Sequence, residues 1–133
     1  MKIEINISKE ILARTQYCGY DQCGIKDQDA NIAKNCAIAV ACAEVFDRVS
    51  VGDSIHIYAG GVKPRFLGII QLPVAAIEFT TVFDAMHPVQ RLDIEPFSFE
   101  IDVPDTIIDK IGTAEITELL EHSESLKLIE DEA

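Results

Sequence analysis

The chain opens with a strict alternation of apolar and polar residues. Ile3, Ile5 and Ile7 alternate with lysine, glutamate and asparagine, which predicts a β-strand with one buried face. The same two-residue period returns at 97–103, where phenylalanine, isoleucine and valine take every second position. A short helical segment follows each strand, so residues 4–12 and 100–108 echo one another. The echo indicates a duplicated unit, two strands that lie side by side, or coincidence, because so short a match does not establish a repeat.

Two longer segments predict the main helices. Residues 29–48 carry apolar side chains at three- and four-residue spacing and are apolar on all sides near the centre, which predicts a buried helix. Residues 73–86 contain β-branched and aromatic side chains that also suit a strand, but an initial proline and an apolar stripe favour a helix. Short helices are expected at 105–111 and 113–122, separated by Gly112.

The segment 49–73 predicts a pair of strands joined by a turn. Isoleucines at 55 and 57 share one face of the first strand, and serine, histidine and tyrosine at 54, 56 and 58 share the other. Gly60 and Gly61 suit the turn, because glycine accepts positive φ without a steric penalty. Pro64 lacks an N–H donor, so the return strand is expected to be an edge strand or to contain a bulge.

These elements predict a single α+β domain over residues 1–122. Its mixed or antiparallel sheet is expected to pack on the two main helices at about 29–48 and 73–86, with the short helices near the C-terminus. A length of 133 residues is enough for one hydrophobic core. Residues 123–133 are rich in acidic side chains and are expected to form a frayed tail.

Charge is distributed unevenly along the chain. The net charge is −12, and residues 93–133 hold 13 of the 23 acidic residues but only 2 of the 11 basic ones. An acidic chain repels phosphates, so direct binding to nucleic acid or to an anionic membrane is not expected. The longest apolar run is too short for a membrane span, and the first residues lack the apolar region of a signal peptide. A cytoplasmic location with reduced cysteines is therefore expected.

All four cysteines lie in the first third of the chain, and none forms a Cys-x-x-Cys pair. On one helix, Cys36 and Cys42 would lie about 9 Å apart along the axis and on different sides, so they cannot share a metal ion. Cys18, Cys23, Cys36 and His56 remain as candidate zinc ligands. A nucleophilic role for Cys36 lacks an identifiable base. Packing in the core is the favoured interpretation, so we predict a buried, unreactive Cys42, no zinc and no other cofactor.

Two surface features are candidate binding sites. Lys63 and Arg65 follow the two glycines and form either a basic hairpin that binds an anion or simply a solvated turn. Four glutamates recur every third residue and are candidate contacts for a basic protein partner: Glu115, Glu118, Glu121 and Glu124. Such clustered charge speeds encounter with an oppositely charged protein, although a merely solvated helix shows the same pattern. No phosphate-binding loop or nucleophile elbow is present, so the sequence favours a protein that is not an enzyme.

Three segments, NCAIAVACAEVF from Asn35, LPVAAIEFTTVFD from Leu72 and IEPFSFEIDVP from Ile94, carry a resemblance to a known group. The chain resembles a family of small hypothetical proteins of phages and bacteria with an Asn-Cys-Pro-Ile-Ala-like helix start. Later segments of that family read Leu-Pro…Phe…Phe-Asp and Pro-Phe-x-Phe-Glu. This chain departs at Ala37, where the family often has proline. The resemblance implies a phage or mobile-element context and assigns no catalytic residue.

The combined expectation is a small acidic binding protein that engages a protein partner, such as a phage accessory or anti-defence factor. Two alternatives stay open at this point. One is a small-molecule-binding or sequestering oligomer that uses the hairpin at 60–65, and the other is a cysteine-based zinc site. The sequence names neither the partner nor the oligomeric state.

Overall fold

Strands and helices are interspersed along the chain in an α+β arrangement, as predicted. The computed structural model describes residues 1–16, 37–60, 62–85 and 93–129. Within these ranges the elements are β1 (Lys2–Ile7), α1 (Lys9–Gln16), α2 (Ala37–Cys42), β2 (Arg48–Val51), β3 (Ser54–Ala59), β4 (Arg65–Gln71), α3 (Val74–Ala85), β5 (Phe97–Asp102), α4 (Asp105–Ile111), α5 (Thr113–Glu121) and β6 (Leu126–Leu128).

The first strand is the centre of a three-stranded antiparallel sheet with the order β5-β1-β6. Ile3 pairs with Ile101 on one side and Leu128 on the other. Ile5 pairs with Phe99 on one side and Leu126 on the other. The three isoleucines of β1 are fully buried, which confirms the predicted alternation. The two echoing segments therefore lie side by side, since β1 and β5 pair along their whole length.

The second sheet is also antiparallel and has the order β2-β3-β4. The strand pair predicted from the sequence is confirmed, with β3 and β4 joined through the turn that contains Lys63. The β4 strand lies at the edge, its pairing with β3 shifts register between Ile57 and Tyr58, and Pro64 directly precedes it. The expected edge position and the expected irregularity are therefore both present.

Side chains from both sheets and from the helices form one hydrophobic core. The α2 helix lies within it, packs on α1, β1 and β2, and buries five of its six residues, including Cys42. The predicted burial of Cys42 is confirmed. The helix ends at Cys42, earlier than the predicted Arg48, because the backbone tightens into turns in which the Val45 N–H donates to the Cys42 carbonyl at 3.1 Å. The predicted residues 29–36 lie outside the described part of the chain.

The second main helix agrees closely with its prediction. The α3 helix spans Val74–Ala85, against an expected 73–86, and buries Ala76, Thr80 and Phe83. The Thr80 hydroxyl donates to the Ala76 carbonyl at 3.0 Å, which satisfies this buried polar group within the helix.

Residues 123–129 correct the prediction of a frayed tail. Strand β6 completes the first sheet, Leu126 is fully buried, and the Asn6 N–H donates to the Ser125 carbonyl at 2.7 Å. The segment is ordered because one apolar side chain enters the core and its backbone pairs with the free edge of β1. Residues 130–133 of the predicted tail lie outside the described residues.

Candidate binding sites

The outer face of the first sheet is polar. Its outward side chains pair across β1 and β5 in the combinations Lys2–Asp102, Glu4–Glu100 and Asn6–Ser98. An antiparallel sheet with one face on the core ordinarily presents such a solvated face on the other side. The outer face of the second sheet can therefore be compared with this polar face of the same protein.

The outer face of the second sheet is aromatic and apolar. Tyr58 lies opposite Phe66, and His56 lies opposite Ile69. The ring of Phe66 lies 5.5 Å from the ring of Tyr58 and 6.0 Å from the ring of His56, measured between centroids. Phe66 is 48% exposed and Ile69 is 40% exposed. We call these four residues the aromatic face.

The surroundings of the aromatic face are basic in an otherwise acidic chain. Residues 48–71 contain Arg48, Lys63 and Arg65 and a single acidic residue, Asp53, so their net charge is +2. Arg48 pairs with Tyr58 across β2 and β3 and lines, with Ser50, Tyr58 and Pro64, a depression of about 280 Å³. Tyrosine, phenylalanine and arginine are the residue types that are enriched in protein interfaces.

A cleft of about 460 Å³ lies between the turn at 43–47, the turn end of the β3–β4 hairpin and the helices α4 and α5. Its lining includes the buried side chains of Phe46, Ile57 and Leu67. Arg65 and Lys110 also line it, and the Lys110 ammonium donates to the Leu67 carbonyl at 3.1 Å. The helix α4 approaches β4 closely, since a Cβ built on Gly68 would lie 2.6 Å from Cγ1 of Ile107.

Of the two residues of the predicted anion site, one lines this cleft. Lys63 is exposed in the turn and does not line the cleft, whereas Arg65 does. Lys110 is not predicted as a site residue from the sequence, because it lies 45 positions from Arg65 along the chain. The one signal for it in the sequence is that Lys110 is one of the two basic residues after residue 92. Phe66 and Ile69 are not predicted as site residues either, although the segment 65–71 contains more apolar residues than one buried face requires.

The four predicted glutamates lie at the surface. Glu115, Glu118 and Glu121 are on the exposed side of α5, away from the buried Ile116 and Leu120, and the Glu124 side chain is exposed just beyond the helix. No described residue forms an ion pair or hydrogen bond with any of these four carboxylates. Their charge is therefore not neutralised within the part of the chain that the structure describes.

A different glutamate, Glu44, is occupied in holding the C-terminal segment. Its Oε1 accepts hydrogen bonds from the Ser123 hydroxyl at 2.8 Å, the Glu124 N–H at 2.9 Å and the Ser125 N–H at 3.0 Å. Its Oε2 accepts from the Ser125 hydroxyl at 2.5 Å. Burial raises the pKa of Glu44, but these hydrogen bonds stabilise the carboxylate more strongly, so its pKa lies below the ordinary value. We call this arrangement the Glu44 clasp, and its role is structural.

Of the four candidate zinc ligands, only His56 lies among the described residues. Cys18, Cys23 and Cys36 lie outside the described residues, and His56 belongs to the aromatic face, where its ring contacts Phe66. Among the described residues, no three histidine, cysteine or acidic side chains are close enough together to hold a metal ion. The zinc hypothesis stays a prediction.

Comparison with known proteins adds no further constraint. No family model, curated protein or solved structure matches the chain. The resemblance to the phage and bacterial family therefore stays a prediction. None of the helices between residues 1 and 129 that the structure describes has the length and apolar content that a bilayer crossing requires.

Proposed function

We propose that the protein is a non-enzymatic binding protein and that it engages an acidic segment of a protein partner through the aromatic face. The observation that carries the proposal is the contrast between the two sheets. One outer face is charged and polar, whereas the other exposes Phe66 and Ile69 beside two further ring-bearing side chains. Burying such side chains in a partner is favourable by about 25 cal/mol for each Å² of apolar surface.

The geometry favours a macromolecule over a small ligand at this face. The side chains stand on a sheet surface, which offers area and an anchor for a partner side chain in the depression beside Arg48. Arg48 in this depression and Lys63 in the adjoining turn attract an acidic partner, although the whole chain is acidic. If the resemblance to the phage and bacterial family holds, the partner belongs to the phage or to its host.

The experiment compares the full chain with a Phe66→Ser variant in affinity capture, followed by binding measurements on the recovered protein. The matched control is Val82→Ser, because Val82 is 60% exposed on α3 and is not part of the aromatic face. We expect Phe66→Ser to weaken binding at least about tenfold, as loss of an interface anchor does, and Val82→Ser to leave it unchanged. Thermal unfolding of both variants checks that the fold is retained.

Two results would contradict this proposal. Equal affinity of the Phe66→Ser variant and the wild type for every recovered partner would exclude the aromatic face as the contact. Light scattering that gives twice the monomer mass for the wild type, and the monomer mass for Phe66→Ser, would show that a second copy of the chain occupies the face instead.

A second candidate function rests on the four surface glutamates. Residues 93–133 have a net charge of −11, and the carboxylates of Glu115, Glu118, Glu121 and Glu124 make no described ion pair. A one-sided field of this kind accelerates association with a basic protein. The partner would then be basic and would contact α5, so the charge of the recovered protein distinguishes the two candidates.

A further inference from the structure

The cleft between the β3–β4 hairpin and the helices α4 and α5 has the features of a small-molecule site. Its volume of about 460 Å³ lies within the roughly 300–1,000 Å³ that is usual for ligand pockets. The half-buried side chains of Ala59, Ile111 and Leu119 line its wall and remain accessible. The cleft can therefore cover the apolar body of a ligand, which the aromatic face cannot enclose.

Two cations from distant parts of the chain meet at this cleft. Arg65 comes from the start of β4, and Lys110 comes from the last turn of α4. The bond from Lys110 to the Leu67 carbonyl uses one of its three donors and holds the ammonium beside the cleft. No hydrogen bond or ion pair connects the Arg65 guanidinium to any other described residue. Both side chains therefore have donors available to a ligand.

The cleft is also lined by three acidic residues, Glu44, Asp47 and Glu115, and none of them forms an ion pair with either cation. The Glu44 carboxylate accepts the four hydrogen bonds of the clasp, and Oδ2 of Asp47 accepts from the Gly60 N–H at 2.7 Å. Glu115 lines the cleft but pairs with neither Arg65 nor Lys110. An Arg fork and a lysine ammonium that line the same cleft are donors that suit the oxygens of a carboxylate or a phosphate.

We propose that this cleft binds a small organic anion whose apolar body packs on Ala59, Ile111 and Leu119 and whose charged head contacts Arg65 and Lys110. The residues that the proposal uses lie outside the aromatic face, which shares with the cleft only Tyr58. A carboxylate and a phosphate monoester share the required chemistry, and the experiment below distinguishes them.

The test is a titration of the full chain with benzoate and with phenyl phosphate, followed by amide chemical shifts in NMR spectra. Benzyl alcohol serves as the uncharged analogue, and inorganic phosphate serves as the anion without an apolar body. We expect at least one aromatic anion to bind in roughly the millimolar range that so small a ligand allows. The shifts should concentrate in β4, in α4 and in the turn at 43–47, and the tighter of the two anions identifies the preferred head group.

Variants then test the two cations. We expect Arg65→Gln and Lys110→Gln each to weaken binding at least about fivefold, as loss of a charge-assisted hydrogen bond does. The matched control is Lys63→Gln, which removes a charge from the same hairpin but not from the cleft. Equal binding of benzyl alcohol, equal binding of inorganic phosphate at the same residues, or an equal loss in Lys63→Gln would each overturn the proposal. Absence of shifts around the cleft with both aromatic anions would overturn it as well.

Discussion

Replacement of Glu44 by alanine removes the Glu44 clasp and is expected to destabilise the protein substantially. The variant loses four hydrogen bonds to a carboxylate, two of them from Ser125, which is 5% exposed. Water can replace the bonds to Ser123 and Glu124, which are nearer the surface. The two Ser125 donors lose their partner within the protein, at a cost of about 1–3 kcal/mol for each buried polar group. Because the carboxylate is itself partly exposed, the cost of the two unpaired donors is reduced by solvent. We therefore expect a loss of about 2–3 kcal/mol in the free energy of unfolding.

The assay is equilibrium urea unfolding at neutral pH, monitored by circular dichroism. The matched control is Glu118→Ala, which removes an exposed glutamate without a described partner and is expected to change the free energy of unfolding by less than about 0.5 kcal/mol. A Glu44→Gln variant keeps one acceptor oxygen and is expected to fall between the wild type and Glu44→Ala. These three variants separate the loss of the charge from the loss of the hydrogen bonds.

The pH dependence tests the carboxylate itself. The pKa of Glu44 in the folded protein lies below its reference value of 4.5, so folding favours the ionised form. The contribution of the ionised group is therefore fully present above the unfolded pKa and is lost as the pH falls through the folded pKa. We expect the difference in stability between the wild type and Glu44→Gln to shrink on acidification below about pH 5. A difference that stays constant down to pH 2, or Glu44→Ala as stable as Glu118→Ala, would refute the reasoning.

Three further predictions follow from packing and charge. Gly68→Ala should lower the free energy of unfolding by about 1–3 kcal/mol in urea unfolding, because its new Cβ would lie 2.6 Å from the buried Ile107 side chain. The control Gly52→Ala, where no atom lies within 4 Å, should be near neutral, and equal losses in both variants would contradict this reason. Cys42 is fully buried, so thiol labelling followed by peptide mapping should modify it only after unfolding, and rapid modification in the folded protein would disprove its placement. The last prediction concerns Glu115, Glu118, Glu121 and Glu124. Replacing all four by glutamine should weaken binding to any basic partner and flatten the salt dependence of that binding. Unchanged affinity at low salt would assign these glutamates a role in solubility.

The elements that the sequence predicted well are those with a strong local period. Strands β1 and β5 alternate strictly, and β3 and β4 flank a turn with two glycines, so their patterns follow from residues that are close along the chain. The end of α2 could not be placed in this way. Its sequence is apolar on all sides and continues with Ala43, Val45 and Phe46, so periodicity carries no signal for the turn that follows Cys42.

The binding sites and β6 escaped prediction because they depend on distant residues. Strand β6 has three residues, and the segment before it is fixed by Glu44, about 80 positions earlier in the chain. Arg65 and Lys110 meet only because α4 packs on β4. The exposure of Phe66 depends on which face of the hairpin the core covers. In each of these cases a single sequence gives the residue types but not which distant residues they contact in the folded protein.

The order of strands in the first sheet bears on how the protein is made. Lys2 pairs with Asp102 and Ile3 pairs with Leu128, so β1 leaves the ribosome long before either of its partners. At about 5–20 residues per second, the three isoleucines of β1 wait roughly 6–24 seconds for β6 to be synthesised. The β2–β3–β4 meander can close during that time, since its contacts are local. During synthesis the nascent chain therefore carries an unpaired, isoleucine-rich strand, for which a chaperone or an early β-aggregate can compete until Leu128 has emerged.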